Sequence, residues 1–173
     1  KCPVKLRMDR DDDMLITGKR HDFHADYEVG FSDQGVIEGV KIKLLSRCGI
    51  SPDLSGAINS RALLHIDNAY YLSDVSVENY LCKTNTSSST AFRGFGGNQG
   101  MMIIENIIDN VAKYLNKDSA EIRKINFYQK NKKNITHYGM RIQDNVINEI
   151  FSKLIKSSNY KNRRLNLKKF NLK

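Results

Sequence analysis

The sequence predicts an α+β fold, with a long antiparallel hairpin in its first half and helices in its second. Two segments joined by a short polar turn alternate apolar and polar residues, as the strands of a hairpin do. Beyond residue 98, apolar residues recur instead at helical spacing. The 173 residues, 40% hydrophobic and 27% charged, are enough for one ordinary domain with a hydrophobic core.

The strands are predicted from alternation and from the turns between them. Aspartate-rich residues 9–13 and polar residues 32–35 have the composition of turns. In the first strand of the hairpin, one face carries only apolar residues, namely Phe23, Ala25, Tyr27, Val29 and Phe31. The four predicted strands are residues 4–8, 22–31, 36–45 and 70–80.

Helices are predicted at about 98–115, 118–127, 143–157 and 158–170. In the second of them Ser119 is the predicted N-cap, with Ile122 and Ile125 facing inward. Because no repeat or interdomain linker interrupts the chain, residues 1–173 are predicted to be a single partial domain, strand-rich over 1–97 and helix-rich over 98–173. The first residue is not methionine, as in a fragment, and we expect a domain truncated at both ends.

Charge and cysteine content narrow the classes of partner. The net charge is +9, and residues 113–173 hold 16 of the 28 Lys and Arg residues. A basic stripe could bind nucleic acid, but few aromatic residues interleave it, so we interpret it as a solvated face and expect no nucleic acid partner. No apolar run approaches the ~20 residues of a membrane span. The three cysteines are widely spaced, which favours a reducing, cytoplasmic setting.

Residues 91–100, hereafter the glycine loop, contain the clearest functional signal. Their four glycines, Gly94, Gly96, Gly97 and Gly100, can adopt positive φ and leave main-chain N–H groups accessible. The loop leads into a predicted helix, whose N-terminus favours a bound anion such as a phosphate or oxo-anion. A plain strand-to-helix turn is the alternative. Gln99 stands where the dinucleotide fingerprint requires glycine, and the phosphate-loop signature is absent.

Seven blocks of the sequence carry a further signal when they are taken together in chain order. They are residues 5–21, 53–55, 61–70, 84–86, 91–97, 123–128 and 169–171. Together they resemble the molybdenum-binding subunit of bacterial xanthine dehydrogenase, a member of the xanthine dehydrogenase/aldehyde oxidase family. The resemblance is collinear from about residue 1 to about residue 171. It implies a part of the molybdopterin-binding domain of a molybdenum hydroxylase.

The resemblance implies roles for individual residues. The main chain of Arg93, with Gly94 and Gly96 beside it, would contact the molybdenum–molybdopterin cofactor, and Phe95 would pack against the substrate ring. Arg61 would bind the purine and stabilise charge that develops on it during catalysis. Asn98 stands where the family usually has proline, and we expect it to act like an N-cap residue there.

The implied activity is the oxidative hydroxylation of hypoxanthine or xanthine to urate. Electrons would pass through 2Fe-2S clusters and FAD to NAD, held by an iron–sulfur/FAD subunit in a heterotetramer of two subunit types. The family's catalytic base, a glutamate, has no counterpart at a matching position, so we expect the chain alone to be inactive. An aldehyde-oxidising or other N-heterocycle-hydroxylating relative is the first alternative, and a small basic nucleic-acid-binding module is the second.

Overall fold

The structure is a computed structural model that describes residues 2–172, which form three strands and six helices. This is the mixed α and β content that the sequence predicts. None of the helices in these residues is long and apolar enough to cross a membrane. The elements in chain order are α1 (Arg10–Ile16), β1 (Phe23–Phe31), β2 (Ile37–Gly49), α2 (Ser55–Leu64), β3 (Val75–Lys83), α3 (Gly97–Tyr114), α4 (Ser119–Asn126), α5 (Ile147–Ser157) and α6 (Tyr160–Asn171).

The predicted hairpin is confirmed. Strands β1 and β2 pair antiparallel, with Phe23 opposite Ser46 and Val29 opposite Val40. Side chains of β1 alternate between partly buried and exposed, as the sequence pattern predicts. Gly35 in the connecting turn has φ of 90°, a conformation that glycine adopts without a steric penalty.

Strand β3 pairs parallel with β2, which makes β2 the central strand. A parallel connection needs a crossover, and α2 lies within it. The sequence pattern predicts no helix at this position. The strand predicted at 70–80 begins too early, because β3 begins at Val75 and Tyr70 forms an isolated bridge with Phe127.

The core is built mainly by β2 and α3. On α3, Ile104, Ile107, Ile108 and Val111 follow helical spacing and are at most 1% exposed. They belong to one cluster with Ile42 and Leu44 of β2, which are fully buried. Each such side chain stabilises the fold by about 1.5–3 kcal/mol. The core therefore anchors α3, whose first turn carries the end of the glycine loop.

The N-terminal prediction is wrong in both parts. Residues 4–8 form no strand, and the predicted turn at 9–13 is mostly helix α1. The Asp9 carboxylate accepts a hydrogen bond from the Asp12 N–H at 2.9 Å and caps the helix. Three aspartates in the first turn also interact favourably with the helix dipole. The same residues that suggest a turn therefore start a short helix.

The predicted C-terminal helices all exist, with differences at their ends. Asp118, not Ser119, caps α4 by accepting a hydrogen bond from the Ala120 N–H at 2.8 Å. Ile122 is buried as predicted, but Ile125 is 37% exposed. Helices α5 and α6 begin at Ile147 and Tyr160, and neither contains a buried residue.

Candidate functional site

The glycine loop changes direction through two positive-φ glycines. Gly94 and Gly96 have φ of 96° and 91°, as expected for glycines in such a loop. Phe95 between them has φ of 48°, which non-glycine residues rarely adopt and which tends to occur at functional sites. The turn is closed by hydrogen bonds from the Phe95 N–H to the Phe92 oxygen at 2.8 Å and from the Gly97 N–H to the Gly94 oxygen at 2.9 Å.

Gly97 and Gly100, the other two glycines of the loop, do not adopt the positive φ that glycines in such a loop can provide. Gly97 and Gly100 lie in the first turn of α3, where positive φ is not required. A Cβ at Gly100 would collide with the Ala62 main-chain oxygen, and one at Gly96 would collide with the Ile58 main-chain oxygen. The main chain of the glycine loop and of α3 therefore packs directly against the main chain of α2.

This packing places α2, the helix that carries Arg61, against the glycine loop. Arg61 lies in the last turn of α2, between Ile58 and Ala62, whose main chains touch the loop. Its side chain is exposed and forms no ion pair within residues 2–172. The structure thus places Arg61 and the loop on touching elements, although 32 residues separate Arg61 from Arg93.

The loop also offers main-chain donors. Within residues 2–172, the N–H groups of Arg93 and Gly94 donate to no other main-chain group. The Arg93 side chain is exposed, and Phe95 is half-buried. Unpaired N–H groups beside the N-terminus of α3 are suited to hold an anionic ligand.

Sequence reasoning missed Arg20, which contacts the loop at three points. Its Nη2 donates to the Arg93 carbonyl oxygen at 2.6 Å, and its Nη1 donates to the Asn98 Oδ1 at 3.2 Å. The guanidinium also lies 4.4 Å from the centre of the Phe92 ring. Arg20 lies inside one of the blocks that carry the family resemblance, but no local pattern shows that it reaches a loop more than 70 residues away.

Asn98 is not at the N-cap of α3, so the role expected for it from the sequence is wrong. The N-cap position of α3 is Gly96, and it has no side-chain capping hydrogen bond. Asn98 lies two residues further on, inside the helix, and its side-chain oxygen accepts from Arg20 instead. The residue that replaces the family's usual proline is therefore part of the Arg20 contact.

A buried histidine, His21, contacts both α2 and the glycine loop. His21 is 3% exposed, its Nε2 lies 2.6 Å from the Ser55 Oγ, and its carbonyl oxygen accepts from the Gln99 Nε2 at 3.2 Å. Burial lowers the pKa of His21, although Asp53 and Asp22 act in the opposite direction. His21 thus links the segment before β1 to α2 through its ring and to α3 through its carbonyl oxygen.

A molybdenum–molybdopterin group fits this donor set. Within residues 2–172, no group of three His, Cys, Asp or Glu side chains could hold a metal ion. The site instead offers main-chain N–H groups, arginines and a helix N-terminus, which suit an anionic organic group that brings its own metal ligands.

Comparisons with known proteins agree with the resemblance to xanthine dehydrogenase, but they do not show a bacterial origin. The chain is 42% identical over 169 residues to xanthine dehydrogenase/oxidase from Gallus gallus and 40% identical over 171 residues to xanthine dehydrogenase from Dictyostelium discoideum. These matches cover 98% and 99% of the chain but only 12% of each relative, so the chain spans about an eighth of their length.

The fold also has a match among solved structures. Quinoline 2-oxidoreductase from Pseudomonas putida 86 superposes with a TM-score of 0.82 at 19% identity, over 95% of this chain and 22% of that one. Residues 1–127 match the family described as the molybdopterin cofactor-binding domain, which confirms the cofactor predicted from the sequence. The chain belongs to the molybdopterin cofactor-binding domain family.

Proposed function

We propose that the chain forms one wall of the active site of a molybdenum hydroxylase that acts on oxypurines. The observation that carries this proposal is the direct packing of α2, which bears Arg61, against the glycine loop, which bears Arg93 and Phe95. The N–H groups of Arg93 and Gly94 would hold the anionic part of the cofactor. When bound, the molybdenum–molybdopterin group supplies the oxidising chemistry.

Phe95 and Arg61 would act on the substrate in different ways. A purine is flat, so the half-buried Phe95 ring offers offset stacking worth ~1 kcal/mol and sets the plane of the substrate. Hydroxylation of a ring carbon pushes negative charge onto the heterocycle. An arginine directed at that charge lowers the barrier by ~3 kcal/mol, and Arg61 has no competing carboxylate partner within residues 2–172.

The remaining parts of the reaction would come from outside these residues. The base, the 2Fe-2S clusters, FAD and the NAD site are not assigned to this chain, and we expect the chain alone not to oxidise xanthine. Glu105 is the glutamate that follows the glycine loop in α3. It accepts hydrogen bonds from Tyr70, Asn68 and Arg123, so its carboxylate is already committed to a structural network.

The test compares two substrates in the full-length gene product that contains this chain. Arg61→Met should lower kcat/KM for xanthine by about 100-fold, because a transition-state contact is lost. Turnover of an aromatic aldehyde, which develops no charge on a purine ring, should change by less than about threefold. Arg163→Met, an exposed arginine on α6, is the matched control and should change neither.

Two results would contradict the proposal. An equal loss on both substrates would show that Arg61 supports the fold and not the purine. Faster turnover of the aldehyde than of xanthine by the unaltered protein would instead assign an aldehyde-oxidising relative.

A further inference from the structure

Arg20 holds one specific peptide group of the glycine loop. Its Nη2 donates to the Arg93 carbonyl oxygen at 2.6 Å. That oxygen belongs to the same planar peptide unit as the Gly94 N–H, and in a trans peptide the two point in opposite directions. Fixing the Arg93 oxygen toward Arg20 therefore fixes the Gly94 N–H away from Arg20.

Two further contacts keep Arg20 in this position. Its other terminal nitrogen donates to the Asn98 Oδ1 at 3.2 Å, and its guanidinium stacks on Phe92. The segment that carries it is also tied down. The Thr90 N–H donates to the Lys19 oxygen at 2.9 Å, and a Cβ at Gly18 would lie 2.6 Å from Thr90 Cγ2. Arg20 thus reaches the loop from an ordered segment.

The charge of Arg20 has a cost in the absence of a ligand. A cation beside a helix N-terminus opposes the helix dipole, and Asn98 lies in the first turn of α3. The exposed Arg93 adds a second positive charge to the same loop. An anion bound at the loop would offset both charges, so this arrangement is suited to a ligand-binding site.

We infer that Arg20 is a positioning residue, which orients the Gly94 N–H toward the anionic part of the cofactor by holding the Arg93 carbonyl oxygen. The inference rests on the proposed function, which supplies that ligand. Arg20 does not itself touch the substrate in this scheme. Its planar fork is needed because one group must reach the Arg93 oxygen, Asn98 and the Phe92 ring together.

The first measurement follows amide hydrogen exchange in peptides that cover residues 91–100 of the chain. Arg20→Met should raise exchange in this segment about tenfold, the effect of losing one hydrogen bond to a charged group. Exchange in residues 104–112, the buried part of α3, should stay unchanged. Asn98→Ala, which removes only the second contact, should have a clearly smaller effect, and Arg163→Met should have none.

The second measurement is the molybdenum and pterin content of the full-length gene product. Arg20→Met should lose both about tenfold faster than the unaltered protein during dialysis. Arg20→Lys keeps the charge but cannot span the contacts, so it should lie between the two; this variant also decides the matter if Arg20→Met does not fold. Rates for Arg20→Lys equal to those of the unaltered protein would overturn the inference.

The outcomes separate the inference from the proposed function. If the unaltered full-length protein contains no molybdenum or pterin, the proposed function fails, while the exchange result still decides whether Arg20 orders the loop. If the protein contains both and Arg20→Met changes neither retention nor exchange, the positioning role alone fails. An equal effect of Asn98→Ala and Arg20→Met would show that the Asn98 contact, and not the Arg93 carbonyl, is what matters.

Discussion

At the scale of single residues, glycines determine how closely the loop and α2 approach each other. Gly100 lies in the first turn of α3, and a Cβ there would collide with the Ala62 main-chain oxygen. Main-chain atoms cannot rotate away as a flexible side chain can, so the two elements would have to separate. Gly56, in α2, is also helical, but a Cβ there would meet nothing within 4 Å.

These two glycines make a matched pair of variants. Gly100→Ala should destabilise the chain by about 1–3 kcal/mol, because overpacking displaces α3 from α2. Gly56→Ala should stabilise it by about 0.5–1 kcal/mol, because alanine restricts the unfolded chain and favours the helix. Urea unfolding of both variants gives the two free energies. No effect of Gly100→Ala would contradict the close packing of α2 and α3, and destabilisation by Gly56→Ala would contradict the open space around Gly56.

At the scale of elements, Asp118 ties α6 to α4. The Asp118 carboxylate caps α4 and accepts hydrogen bonds from the Tyr160 Oη at 2.7 Å and the Arg164 Nε at 3.0 Å. Partial burial raises the pKa of Asp118, but the hydrogen bonds from Tyr160 and Ala120 and the charge of Arg164 outweigh it, so the pKa is lowered overall. The ionised carboxylate therefore joins two helices.

Asp118→Ala should release α6 and weaken α4. The lost cap alone costs about 1–2 kcal/mol, and exchange in residues 160–171 should rise while exchange in 104–112 stays low. In the unaltered chain, α6 should lose the same protection as the pH falls below 3.8, the ordinary pKa of aspartate. A carboxylate whose pKa is lowered by folding stabilises the folded state at a pH above its pKa in the unfolded chain. This stabilisation is lost when the carboxylate is protonated. Asp26→Ala, on the exposed side of β1, is the control and should leave α6 protected.

Elements could be predicted where the residues form a long periodic pattern. The alternation from Phe23 to Phe31 and the helical spacing from Ile104 to Val111 each reflect one buried face, so both were found from the sequence. Helix α2 was missed because its short sequence is small and polar around Ile58 and Ala62, so no apolar stripe is visible. Its stability comes from packing against a glycine main chain, which a linear pattern does not show.

From the residues alone, the candidate site was visible only in the glycine loop, whose members are neighbours in the sequence, and Arg61 was added through the family resemblance. Arg93, Phe95 and the two positive-φ glycines lie in one loop, whose composition and family resemblance drew attention to them. Arg20 acts through contacts that span more than 70 residues, and such contacts follow from the fold, not from local spacing. Only the structure therefore shows that Asn98 belongs to the Arg20 contact.

At the scale of the whole molecule, three distant parts of the chain meet at His21. The ring contacts Ser55 at the start of α2, and the main-chain oxygen accepts from Gln99 in α3. His21 itself lies just before β1. Its Nδ1 is buried without a hydrogen-bond partner within residues 2–172, so protonating the ring would place a positive charge in a buried environment.

This burial predicts that the chain loses stability on mild acidification. Burial lowers the pKa of His21 below its ordinary value of 6.5, despite the opposing charges of Asp53 and Asp22. A lowered histidine pKa stabilises the fold above 6.5, and that stability is lost as the pH falls through the lowered value. The melting temperature should therefore fall as the pH is lowered from about 7 to about 5, and the slope of melting temperature against pH should be smaller in His21→Gln.

The matched control is His24→Gln, since His24 is exposed on β1, and it should keep the slope of the unaltered chain. Equal slopes for His21→Gln and the unaltered chain would show that His21 does not link the site to global stability.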